Sequence, residues 1–162
     1  MSKKLTYLVI HCTATPEGRE VTSDEIRKWH TSPSPKGRGW KQVGYSDMIH
    51  LDGTLENLVP YNNDDIVDAW EITNGVRGYN SISRHVVYVG GVDADNVRKA
   101  KDTRTWLQEL KMITYVKETI ARHPHILVGG HNQFNNKKAC PSFDVPSWLR
   151  AIGIPEKNIY KV

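Results

Sequence analysis

Cysteine is almost missing from this chain: its 162 residues contain only Cys12 and Cys140. At most one bridge is possible, which excludes a small scaffold stapled by disulfides, and a chain this long buries a core without covalent help. Free thiols or a metal ligand are the expected uses of the two sulfurs. Long apolar runs are missing too. The stretch Leu5 to Ile10 is too short for the apolar part of a signal peptide and is interrupted by His11. Nothing approaches the roughly 18 consecutive apolar residues of a membrane-spanning helix. Synthesis in the cytoplasm without a signal peptide or membrane anchor is therefore expected. There is no internal repeat and no low-complexity tract.

Charge is nearly balanced, with 22 basic against 18 acidic residues and a net charge of +4. This mild excess suits an anionic target such as a wall polymer, lipid phosphate or nucleic acid, and does not choose among them. Neither a recognition helix nor zinc-finger spacing supports a nucleic-acid partner. With 38% hydrophobic and 25% charged residues, the composition is that of an ordinary folded domain.

The stretch "TYLVIHC" is β-rich and apolar on both faces, as a buried central strand requires. Alternation puts Tyr7, Val9 and His11 on one face and Leu8, Ile10 and Cys12 on the other. Thr22 and Glu25 have capping-box spacing and predict a helix over about 23–31, with Ile26 and Trp29 on its apolar face. "TSPSPKGRGWKQ" reads as a loop whose basic and aromatic residues fit a sugar or nucleic-acid surface no better than ordinary solvent exposure. Asp52-Gly53 between two β-like runs predicts a hairpin, and "ISRHVVYVGGVD" another strand ending at Gly90-Gly91. The longest helix is expected over about 103–122, with Trp106, Leu110, Ile113 and Ile120 as its apolar stripe and Pro124 ending it. "HILVGGH" follows as a strand, the asparagine-rich stretch as a loop, and "VPSWLRAIGI" as a short helix with Pro146 in its first turn. Together these predict an α/β single domain, a central mixed β-sheet flanked by helices.

Two histidines fall at strand ends, where rigid scaffold meets open cleft: His11, and His131 after two glycines. Cys140 follows His131 by nine positions. Two imidazoles and a thiolate form a set that catalytic zinc accepts while keeping a fourth position for water. Spacing alone leaves the alternative open that His11 is a hydrogen-bonded strand-end histidine. Cys12, on the opposite face from His11, reads as a small core residue. His30, His50, His123 and His125 have no comparable context.

The segments "YLVIHCTAT", "VGYSDMIHLDGT", "GYN" followed by "VVYVGG", and "GGHNQFNNKKACPSFDV", in this order from about Tyr7 to Leu149, resemble the type 2 N-acetylmuramoyl-L-alanine amidases. That family includes phage lytic enzymes and peptidoglycan recognition proteins. The resemblance implies one Zn2+ ion held by His11, His131 and Cys140, with Tyr45 close to the metal and Lys138 contributing to catalysis. It implies bacterial peptidoglycan as the partner and cleavage of the amide joining the lactyl group of N-acetylmuramic acid to L-alanine. A monomeric phage or prophage endolysin, one catalytic domain over 1–162 with no separate wall-binding domain, is expected. A non-catalytic peptidoglycan binder of the same fold is the alternative, although such relatives typically lose the cysteine ligand. The chain departs from the family where serine, isoleucine and glycine are common: Ser83 is kept, but Arg84 and His85 follow it. The histidine often found shortly before "GYN" is missing from "EITNGVRGYN". Asn80, Arg84 and His85 are accordingly the candidate substrate contacts.

Overall fold

The computed structural model describes residues 2–162. Its main sheet is built from β1 (Tyr7–Cys12), β2 (Asp47–Ile49), β3 (Leu55–Asn57), β4 (Ser83–Tyr88) and β5 (Leu127–Gly130), in the order β3-β2-β4-β1-β5. Strands β2, β4, β1 and β5 run parallel, and β3 returns antiparallel on β2 as the hairpin at Asp52-Gly53 requires. The sheet is therefore mixed. In the register of β1 with β4, Val9 faces His85 and His11 faces Val87.

Strand β1 has neighbours on both sides, and Leu8, Val9 and Ile10 have no exposed surface. Burial of such a side chain is worth roughly 1.5–3 kcal/mol, so this short apolar segment contributes strongly to holding the sheet centre. One face of the sheet carries Leu8, Ile10, Cys12, Val86 and Tyr88, packed with α2 (Trp106–Arg122) and α4 (Val145–Ala151). The opposite face carries Met48 and Val87 and packs with Ile26 of α1 (Ser23–Thr31).

The capping box of α1 forms as expected: Thr22 Oγ1 accepts from the Glu25 N–H at 3.2 Å, and the Glu25 carboxylate accepts from the Thr22 N–H at 2.9 Å. Its buried residues are Ile26 and His30, whereas Trp29 is 36% exposed. The inward face is thus set by an i, i+4 pair that includes a histidine.

The apolar stripe of α2 also differs from expectation. Trp106 and Leu110 are 70% and 44% exposed, and the buried residues of the helix are Gln108, Met112, Tyr115, Val116 and Thr119. Polar residues occupy the inner face because each has a partner there. Gln108 Nε2 donates to Val89 O at 2.9 Å, and Tyr115 OH donates to Asp47 Oδ2 at 2.6 Å. A reading of apolar period alone cannot see such satisfied polar burial. Ile113 and Ile120 pack at the margin of the core. The helix begins after Thr105, whose hydroxyl accepts from the Gln108 N–H at 3.0 Å, slightly later than expected.

The expected asparagine-rich loop opens as one helical turn, α3 (His131–Phe134), directly after β5. The far edge of β5 is not bare. Tyr160 N–H donates to Val128 O at 2.9 Å, Ile159 bridges Val128, and the Tyr160 ring stacks on Phe134 with centroids 4.5 Å apart. Chain beyond α4 therefore covers the strand edge and braces α3.

Candidate metal centre and active site

In sheets built from parallel strands, ligands gather beyond the carboxyl ends of the strands. Here β1 and β5 are neighbours paired with Ile10 opposite Gly130, so the next residue of each, His11 and His131, emerges at the same edge. Their ring centroids lie 4.8 Å apart. Cys140 is brought back to them by the segment after α3, where Asn132 N–H donates to Cys140 O at 2.8 Å and Tyr88 OH to Pro141 O at 2.6 Å. Gly130 permits this return, since a Cβ there would stand 2.8 Å from Val145 Cγ2 and 2.9 Å from Pro141 Cδ. One potential ligand atom from each of His11, His131 and Cys140 falls within 4.8 Å of the others, a spacing compatible with a shared metal ion.

The electrostatics fit the same use. Burial, followed by the neighbouring His85, His131 and His30, holds His11 well below the ordinary histidine range. Burial and then the Lys138 charge push His131 down to about 4. Both imidazoles are therefore neutral at pH 7, with a lone pair available to a cation. His11 presents Nδ1 to Cys140 Sγ at 3.8 Å. Burial raises the Cys140 thiol, so it keeps its proton in the metal-free chain; a bound cation would deprotonate it. Cys12 N–H already points at Cys140 Sγ from 3.2 Å.

Tyr45 stands over this group, its ring centroid 5.2 Å from that of His11 and equally far from that of His30. Burial, and then the sulfurs of Cys140 and Cys12, raise its phenol above the ordinary tyrosine range, so it keeps its proton at neutral pH. The loop leading to Tyr45 is held by His30, whose Nδ1 accepts from the Gly44 N–H at 2.9 Å. His30 is itself pushed down to about 4 by burial and then by Arg38, which keeps that nitrogen an acceptor. His30 has no expected role from its sequence context; the one signal was its i, i+4 relation to Ile26, which puts both on the buried face of α1. Lys138 is exposed at the rim, near enough for its charge to act on both His131 and Cys140.

Two of the three candidate substrate contacts join this cluster by another route. His85 has no exposed surface, and its Nδ1 lies 2.9 Å from His11 Nε2. Its Nε2 lies 3.1 Å from Asn80 Oδ1. Arg84 is placed elsewhere, because neighbours on a strand point to opposite faces. Its guanidinium carbon lies 3.7 Å from the Tyr61 ring centroid, and the residue is 6% exposed. Beside His131 opens a groove of about 420 Å³, lined by Val76, Arg77, Gln133, Phe134, Asn135 and Val162 among others. It offers amide and guanidinium groups to a polar, extended ligand.

A neutral His/His/Cys group at the carboxyl edge of a largely parallel sheet, next to an open groove, is an arrangement compatible with a metal-dependent hydrolase. A profile of the N-acetylmuramoyl-L-alanine amidase family matches residues 1–143, and the chain belongs to that family. The chain is 35% identical over 148 residues to the endolysin of Enterobacteria phage K11, a match spanning 91% of this chain and 87% of that protein. It is 32% identical over 141 residues to the endolysin of Escherichia phage T7, covering 87% and 83% of the two chains. The fold is similar to that of the N-acetylmuramoyl-L-alanine amidase LysC from Clostridium intestinale, with a TM-score of 0.69 at 17% identity over 94% of this chain and 87% of that one. Drosophila PGRP-LB shares it with a TM-score of 0.66 at 16% identity, over 100% and 88% of the chains.

Proposed function

We propose that this amidase is a zinc enzyme of the endolysin kind, with His11, His131 and Cys140 as its ligands and the lactyl–L-alanine amide of bacterial peptidoglycan as its target. The observation that carries the reading is the convergence of three ligand atoms within 4.8 Å, two of them on imidazoles held neutral. Mixed nitrogen and sulfur donors suit zinc and do not suit magnesium or calcium. When bound, zinc supplies Lewis acidity toward the amide carbonyl and acidifies a water.

The chain's own groups do the rest. Tyr45, a phenol that retains its proton in the metal-free chain, acts as a hydrogen-bond donor that positions the reacting groups. Lys138 places an ammonium where the carbonyl oxygen becomes anionic, and the groove beside His131 takes the flanking glycan and peptide. His30 fixes the Tyr45 loop. Cys140 favours catalysis over recognition alone, since a binder has no need of a thiolate.

No helix among the described residues is long and apolar enough to cross a membrane. Its place of action on this reading is the bacterial wall, as the endolysins it is similar to suggest. The reading is tested by mass spectrometry of purified peptidoglycan incubated with native, metal-stripped and zinc-restored protein. Stem peptides with a free L-alanine amino terminus, lost on stripping and regained with zinc, are expected. Zinc-loaded protein that releases none from walls of several chemotypes would refute it.

A further inference from the structure

Ligation through His11 Nδ1 requires that its proton sit on Nε2, and the chain contains a device that dictates this. The first link is the Asn80 side chain. Val76 N–H donates to Asn80 Oδ1 at 2.8 Å, and since a backbone N–H can only donate, that atom must be the oxygen and not the amide nitrogen. The same oxygen lies 3.1 Å from His85 Nε2, so Nε2 carries the His85 proton. His85 Nδ1 is then a lone pair, and at 2.9 Å it accepts from His11 Nε2. The proton of His11 is thereby drawn to Nε2, and Nδ1, the edge 3.8 Å from Cys140 Sγ, is left unprotonated.

We infer that His85, oriented by Asn80, is a positioning residue that sets the tautomer and ring angle of His11. This inference rests on the ligand assignment proposed above. It gives Asn80 and His85 a role other than substrate contact. Both rings are almost wholly buried, and among the described residues neither meets a carboxylate, so a neutral chain of donors and acceptors is the arrangement the surroundings support. Packing holds the device in place. Gly75 lies flat against His85, and a Cβ on Gly75 would collide with the imidazole ring. A histidine ligand whose second nitrogen is held this way binds metal better, and loss of such a partner typically costs about 10–100-fold in affinity.

The test begins with the metal-free, 15N-labelled full chain, whose histidine tautomers are read from two-bond proton–nitrogen correlation spectra. His11 and His85 are both expected as Nε2–H tautomers; an Nδ1–H tautomer at His11 would overturn the inference without any variant being made. Zinc affinity is then measured by competition with a chromogenic chelator for wild type and Asn80→Leu, with thermal melts confirming the fold. Asn80→Leu is expected to weaken zinc about 10–100-fold and to lose the single His11 tautomer. Equal affinity in Asn80→Leu and wild type would overturn the relay. If no stem peptide is released yet His11 keeps its Nε2–H tautomer, the amidase mechanism falls and the relay stands, since the tautomer is read on the metal-free chain.

Discussion

The backbone N–H of Cys12 donates to Cys140 Sγ across 3.2 Å, so the residue that follows His11 in the chain steadies the sulfur beside it. The two cysteines thus have separate duties, one through its main chain and one through its side chain. Cys140→Ser is expected to lower zinc affinity by more than the about 10–100-fold typical of an outer partner, and stem-peptide release with it. Cys12→Ala keeps the N–H and removes only a small core group, so it should cost about 1 kcal/mol of stability and leave zinc stoichiometry intact. Chelator competition and thermal melts on the two variants separate these effects. Loss of zinc in Cys12→Ala would reverse the division of labour.

Acid should destabilise the metal-free protein well before its carboxylates titrate. Burial depresses His11, His30, His85 and His131, with His30 and His131 at about 4 and His85 at about 3. Below an unfolded histidine pKa of about 6.5 the unfolded chain binds protons that the folded chain refuses. Stability is therefore full above that pH and falls as pH drops from about 6.5 toward 4. His50 works in the opposite direction: burial lowers it, but hydrogen bonds to Glu20 and Glu56 outweigh that and raise it, so its contribution is lost as pH rises. Melting curves of the metal-free chain from pH 4 to 8 should show the net acid loss. A flat profile over that range would contradict the burial argument.

Tyr45→Phe and Lys138→Ala probe chemistry without touching the ligands. Removal of one donor to a developing oxyanion costs about 10²–10³ in kcat, and Tyr45→Phe is expected in that range with zinc affinity unchanged. Lys138 is exposed, so Lys138→Ala should reduce turnover while leaving the melting temperature where it was. Rates on soluble muropeptides, compared with zinc titrations on the same preparations, check both. Full activity in Tyr45→Phe would remove Tyr45 from the mechanism.

The inner face of α2 can be tested by stability alone. Gln108→Leu strands the Val89 carbonyl that Gln108 Nε2 reaches at 2.9 Å, and an unsatisfied buried group costs about 1–3 kcal/mol. Trp106→Ala, at a site 70% exposed, should fall within about 0.5 kcal/mol of wild type. Denaturant unfolding that ranked the two in the opposite order would restore the apolar-period reading of this helix.

What could be read from the chain was whatever is encoded locally. Strand β1 followed from a β-rich segment largely apolar on both faces, and α1 from a capping pair three residues apart. Strand-end positions made His11 and His131 candidates and Cys140 a possible third member, but their separation in sequence left the set open, and the resemblance to the amidases is what grouped them. The role of His85 was not visible, because it depends on β4 lying beside β1 in one particular register, and a shift by one residue would send Arg84 inward in its place. His30 escaped for a similar reason: its contact with Gly44 crosses a loop whose path no local signal gives. The face of α2 was misread because Gln108 and Tyr115 are buried for hydrogen bonds that only the assembled sheet offers.

The stretch after α4 that runs along β5 ends with Val162 on the wall of the groove beside His131. If that groove takes the flanking glycan and peptide as proposed, a bulky group coupled at position 162 stands beside their path, and it should slow release from intact wall more than turnover of a small muropeptide.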